Sequence, residues 1–152
     1  MDLILWRHAE AIEGNAGDDL ARKLTAKGER QAERMAEWLN RRLSHSTRIL
    51  VSPALRCQQT AKALGRKFRT ADALAPGATA QAVLDAARWP EAIGSVLIVG
   101  HQPTLGLAAA QALIGVAQPW SIKKAAVWWI RHRPRDHEDR VLLQAVQSPD
   151  CL

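Results

Sequence analysis

The 152 residues carry 21 Lys and Arg against 15 Asp and Glu, a formal charge of +6, with 47% hydrophobic and 24% charged residues. That length and balance fit one globular domain over 1–152 and exclude a disordered chain, while no apolar run approaches the roughly 18 residues of a membrane span. The excess positive charge points to an acidic or phosphorylated partner; the cations are interspersed with acids and no nucleic-acid-binding pattern accompanies them, so no nucleic acid is expected.

In chain order, DLILWR at 2–7 is a short apolar run that predicts a strand buried on both faces. No basic segment precedes it, so no signal peptide and a cytoplasmic location are expected. The loop IEGNAGDDLARK, 12–23, carries turn formers and is the expected mobile segment. From Thr25, a plausible N-cap, to Leu43 the spacing predicts a helix with Ala32, Met35, Ala36 and Leu39 on one face. TRILVSP, 47–53, predicts a second strand, followed by a helical pattern through Leu55, Ala61 and Leu64. Residues 79–88 and 104–113 predict two more helices around a third strand, SVLIVG, at 95–100. AAVWWI and VLLQAV predict two last strands joined by the charged turn RHRPRDHEDR, which extend one side of the sheet. The alternation argues for an α/β sandwich with helices on both faces.

Several residues carry plain structural expectations. Cys57 and Cys151 match neither a disulfide framework nor a metal-binding spacing and are expected as free thiols. Trp128 and Trp129 must point to opposite faces of their strand. His45, His132 and His137 are expected to be solvated.

In an open α/β sheet ligands bind beyond the carboxyl ends of the strands. Arg7 and His8 close the first strand, Ser52, Pro53 and Arg56 follow the second, and His101 closes the third. Two arginines and two histidines thus arrive at one sheet edge, where dry packing would not select them. Arginine presents forked N–H donors to phosphate oxygens. Ser52 as N-cap and Pro53 as first helical residue would open a helix N-terminus onto the same anion, and Pro103 hints at another. No carboxylate or cysteine cluster completes a metal shell, so neither metal nor cofactor is expected. A histidine there can still serve as a base or as a nucleophile; as a nucleophile, a neutral imidazole would attack phosphorus, with arginines stabilising the equatorial oxygens.

RHAEA at 7–11, ARKLTAKGERQA at 21–32, VSPALRCQQTA at 51–61 and VGHQPTLG at 99–106 together resemble the histidine phosphatase superfamily, which includes the phosphoglycerate mutases. The chain is short and without large insertions, and it looks most like the SixA-type phosphohistidine phosphatases. The resemblance implies a phosphoglycerate mutase-like fold, a three-layer α/β/α sandwich with a mainly parallel central sheet and an antiparallel edge strand. It makes His8 the phosphorylated nucleophile, His101 the second pocket histidine, and Arg7 and Arg56 the phosphate clamps, with Arg22 reaching the substrate and Ser52 at its binding site. Glu10 is evenly divided between a loop ion pair and a site role.

Two departures stand out. Ala9 occupies the place of the family's usual glycine, which matters only if that position needs positive φ. In DALAPGATAQ, 72–81, no carboxylate follows Asp72 where ester-cleaving members carry an acid. An alkoxide leaving group needs that proton and the imidazole of a phosphohistidine does not. The expected substrate is therefore a phosphohistidine on a partner protein, such as a histidine phosphotransfer domain in a signalling phosphorelay. A small phosphate ester with Asp18 or Asp19 as acid, and a non-catalytic phosphate reader, are the alternatives.

Overall fold

A computed structural model describes residues 1–14, 17–135 and 138–152. In chain order the elements are β1 Asp2–Arg7, α1 Ala26–Asn40, β2 Arg48–Val51, α2 Leu55–Lys62, β3 Arg69–Thr70, α3 Ala80–Ala87, β4 Ser95–Gly100, α4 Thr104–Ile114, β5 Val127–Arg135 and β6 Glu138–Gln147. Three single 3-10 turns, at Asp19–Ala21, Asp72–Leu74 and Pro149–Cys151, complete the described chain.

One six-stranded sheet runs in the order β3-β2-β4-β1-β5-β6. Strands β3, β2, β4 and β1 are mutually parallel, while β5 is antiparallel to β1 and β6 to β5. The reversed strand is therefore β5, and β6 turns back to form the edge. The apolar runs of β1 and β4 are buried on both faces because helices cover both. Ile4, Trp6, Leu97 and Val99 pack with Met35, Leu39 and Ala61 of α1 and α2. Leu3, Leu5, Val96 and Ile98 pack with Val83, Leu84, Leu105 and Ala108 of α3 and α4. The result is the expected three-layer α/β/α arrangement.

The helices begin close to where the sequence places them. Thr25 caps α1 by accepting from the Gly28 N–H at 2.9 Å, and α1 stops at Asn40, three residues short of the predicted end. The charged segment expected as a turn is instead mostly ladder, paired as far as Arg135 with Glu138. Arg131 and His132 are half-buried and Arg133 and Pro134 exposed, so no apolar alternation marks this stretch as strand. His132 sits in that ladder with its ring 5.9 Å from Trp89, and His137 lies outside the described residues, as do Asn15 and Ala16 of the long loop. Trp129 is buried against Trp38 on one face, whereas Trp128 is half-buried beside Trp120 on the other.

Gly28 is the point where α1 meets the segment that follows β1. A Cβ there would lie 2.0 Å from the Glu10 carbonyl oxygen, a contact with backbone that no rotamer change relieves. Gly28→Ala should therefore destabilise the protein by about 1–3 kcal/mol in urea unfolding, despite the better helix propensity of alanine. A neutral or stabilising result would contradict this packing.

Candidate active site

The three parallel strands end level with one another. Arg7 pairs with Gly100 across β1 and β4, and the ladders continue one step further through His8 N–H to Gly100 O at 3.1 Å and Ser52 N–H to Val99 O at 3.0 Å. This alignment brings His8, His101, Arg7 and Arg56 to one cleft of about 630 Å³, together with Arg22, Glu10 and Asp19. The sequence-predicted convergence at the strand ends is thus present as geometry.

His8 is 8% exposed, and its Nδ1 lies 2.7 Å from the Ala9 carbonyl oxygen. A carbonyl only accepts, so Nδ1 carries the proton and Nε2 keeps its lone pair. Burial lowers the His8 pKa to about 4, with Arg56, Arg7 and Arg22 acting in the same direction. The loop is held from both sides: Ala9 N–H donates to Thr60 Oγ1 at 3.1 Å, and Ala125 N–H donates to the His8 carbonyl at 3.1 Å. Ala9 is absent from the positive-φ residues, so the methyl in place of the family's glycine meets no backbone strain. Ala125, by contrast, is a buried non-glycine residue at φ 62°, and its carbonyl accepts from Trp6 Nε1 at 2.9 Å. That strained residue fixes the floor under His8.

His101 stands beside His8, with ring centroids 5.3 Å apart. Its Nε2 is 2.7 Å from Ser52 Oγ and its Nδ1 is 3.4 Å from Arg56 Nη2. Arginine only donates, so both contacts agree with a neutral ring protonated on Nε2. Burial is the largest cause lowering its pKa to about 3, followed by His8 and Arg56.

Ser52 differs from expectation. Helix α2 begins at Leu55 with Ala54 in the cap position, and Ser52 Oγ accepts from Ala54 N–H at 3.2 Å. The hydroxyl is drawn to His101 instead of capping the helix. Ser52 is fully buried behind that ring and does not line the cleft, so its place is that of a support for His101.

Arg56 is 3% exposed and donates from Nη1 to the Asp19 carbonyl at 2.7 Å and from Nη2 to Asp19 Oδ2 at 3.0 Å. Arg22 donates from Nε to Asp19 Oδ1 at 3.1 Å and from Nη1 to Ile12 O at 2.9 Å. Arg7 donates from Nη1 to Ile122 O at 2.8 Å. The Nε groups of both Arg7 and Arg56 are buried with no hydrogen-bond partner among the described residues. Such donors are costly to leave unpaired, and an anion in the cleft would engage the guanidinium groups that carry them.

The hydrogen bond from Arg56 holds the Asp19 carboxyl below its ordinary range, which keeps it an acceptor with no proton to give. Asp18 does not line the cleft. Glu10 does, and its Oε1 accepts from Thr25 Oγ1 at 3.0 Å, tying the loop to the start of α1. The segment after α2 contributes Pro76 and Gly77. Glu13, Gln102 and Lys124 also line the cleft and were not singled out from the sequence, because none of them closes a strand. Cys57 lies 3.5 Å from His101 Nε2, but burial pushes its thiol up to about 12, so it is an inert neighbour. Among the described residues no group of three or more His, Cys, Asp or Glu is placed to hold a metal ion.

Both histidines fold in the neutral form, whereas in the unfolded chain each binds a proton near pH 6.5. The unfolded state therefore gains stability as pH falls through 6.5 towards 4, the lowered His8 value. For His8 alone the loss can reach about 3 kcal/mol. Urea midpoints measured from pH 7 to 4 should fall, and His8→Asn should flatten that slope; an equal slope in the variant would refute the assignment.

The histidine phosphatase superfamily (branch 1) matches residues 3–76. A phosphohistidine phosphatase SixA homolog of Haemophilus influenzae is 34% identical over 142 residues, covering 84% of this chain and 85% of that protein. Phosphohistidine phosphatase SixA of Escherichia coli is 30% identical over 128 residues, 78% of each. A solved structure of the protein histidine phosphatase SixA complexed with tungstate superposes with a TM-score of 0.82 at 26% identity, covering 99% of both chains. The chain belongs to the histidine phosphatase superfamily and resembles its SixA-type phosphohistidine phosphatases.

Proposed function

We propose that the protein removes the phosphoryl group from a phosphorylated histidine on a partner protein, through a covalent phosphohistidine on His8. The observation that carries this reading is the Nδ1 contact of His8 with the Ala9 carbonyl, which leaves Nε2 free in a cationic cleft. In the first step the Nε2 lone pair forms a bond to phosphorus while the P–N bond of the substrate breaks. The departing imidazole nitrogen keeps that electron pair and takes a proton from water. In the second step water attacks the phosphoryl group on His8, the new P–N bond breaks, and the water proton passes to solvent or phosphate as inorganic phosphate leaves.

Arg7, Arg56 and Arg22 would surround the equatorial oxygens and stabilise their charge, so the reaction needs no metal. His101, backed by Ser52 through Nε2, would hydrogen-bond the phosphoryl group by taking up a second proton on Nδ1 as the dianion binds. The segment after α2 brings Pro76 and Gly77 to the cleft and no carboxylate, and Asp19 is held ionised by Arg56, which supports a P–N substrate. The cleft, of about 630 Å³, has room for a phosphorylated imidazole side chain. The charge of +6 would speed encounter with an acidic phosphorelay domain in the cytoplasm. The names of the relatives point the same way.

The test is phosphate release from a chemically phosphorylated histidine protein and from a simple phosphate ester, with a chelator present throughout. Release from the protein that far exceeds release from the ester, and that disappears in His8→Ala, supports the reading. Preference for the ester would make Glu13 the acid to examine, and phosphate binding without turnover of either substrate would make the protein a reader.

A further inference from the structure

In the cleft one side chain sits where an anion belongs. Both terminal nitrogens of Arg56 bind Asp19, one through its carbonyl and one through Oδ2, and Arg22 Nε binds Oδ1 of the same carboxylate. Arg56 is almost completely buried, so its charge has few other partners; Asp19 is half-exposed, with 53% of its side chain accessible. The 3-10 turn that carries Asp19, Asp19–Ala21, buries none of its residues. Arg22 belongs to the same loop, so the turn is tied to the body of the protein through Arg56, and leaving that residue costs little packing.

We propose that Asp19 is an internal stand-in for the phosphoryl group: its carboxylate occupies Arg56 and Arg22 in the resting protein and must leave them when the phosphoryl group binds. This rests on the reading of the cleft as a phosphoryl site and extends it. A dianionic phosphoryl group and a carboxylate cannot share the same donors at close range without repulsion. Binding of one and attachment of the other are therefore competing equilibria, and each weakens the other by the same factor. The device serves both ends of the cycle. It satisfies a buried cation while the site is empty, and by returning to Arg56 it displaces the inorganic phosphate product. Selectivity follows as well, because a weakly charged anion gains too little from Arg56 to displace the carboxylate.

A residue that merely orients Arg56 would act in the opposite direction. Removing an orienting carboxylate weakens anion binding, whereas removing a competing one tightens it. The sign of the change therefore decides between the two.

The experiment is calorimetric titration of inorganic phosphate into the full chain at pH 7, for the wild type, Asp19→Asn and Asp19→Ala, with thermal melts to confirm that each variant is folded. Asp19→Ala should bind phosphate about 5- to 50-fold more tightly, the range of typical coupling between two ligands of one site. Asp19→Asn, which keeps the shape but loses the charge, should tighten it by a smaller factor. Product inhibition by phosphate should strengthen in step. Unchanged or weaker phosphate binding in both folded variants overturns the proposal. Because the readout is binding, it separates from the proposed function: tighter binding in a protein that never turns over phosphohistidine would sink the function and leave the competition standing.

Discussion

His8→Asn abolishes turnover of a phosphohistidine protein, lowering the rate on the order of 10⁴-fold or more, since removal of a covalent nucleophile leaves only the contribution of binding. Asparagine suits the test because its Nδ2 can take the place of Nδ1 and donate to the Ala9 carbonyl, the bond that orders the native ring. The loop from Ala9 to Glu10 keeps its other anchors, Thr60 and Gln31, so the fold survives. What disappears is Nε2, which makes no hydrogen bond among the described residues. Inorganic phosphate, which needs the arginines and no nucleophile, should bind the variant within about threefold of wild type, well below the roughly 1.4 kcal/mol that a tenfold change represents. The second observable is the intermediate itself. Brief mixing with labelled substrate should leave acid-labile, base-stable label on the wild type and none on His8→Asn. Label that persists in the variant would transfer the nucleophile to another residue, His101 first, since its ring is the neighbour at 5.3 Å.

How much of this site was readable in the sequence follows from which residues end strands. β1 is apolar between Asp2 and Arg7 and β4 between Ser95 and His101, so their ends could be placed to within a residue, and the parallel-sheet rule then gathers Arg7, His8, Arg56 and His101 at one edge. Residues placed by loop geometry escape such a rule. Lys124 reaches the cleft from the segment before β5, and Glu13 from the long loop, where no periodicity fixes direction. Asp19 was visible as a possible acid, yet its bonds to Arg56 and Arg22 reverse that role by keeping it ionised. Ser52 illustrates a local signal overruled by a tertiary one. Ser-Pro is a sound helix opening, but a hydroxyl 2.7 Å from a buried imidazole is worth more in that position, and the helix begins later. Strand β3 escaped for a simpler reason: Arg69 and Thr70 are two exposed residues, too few for any alternation to show.

Arg56 carries the second large effect. Its side chain is the only guanidinium in the cleft that contacts both Asp19 and His101, among the described residues, and its removal changes both rate and proton affinity. Arg56→Ala should lower kcat/KM on the order of 10³-fold, the scale expected when a charge aimed at a developing oxyanion is lost. Arg56→Lys should recover little, because a single ammonium cannot span the two positions that Nη1 and Nη2 occupy. The second consequence concerns protons. Arg56 holds the pKa values of both His8 and His101 down, so its loss raises them, and the acid limb of the kcat/KM profile should move to higher pH. A cycle with Asp19 completes the argument. If the carboxylate acts by occupying Arg56, then Asp19→Ala tightens phosphate binding in the wild type but much less in the Arg56→Ala background, where the shared partner is gone. Equal tightening in both backgrounds would mean that Asp19 acts through general charge repulsion or through Arg22, and the direct competition at Arg56 would have to be abandoned.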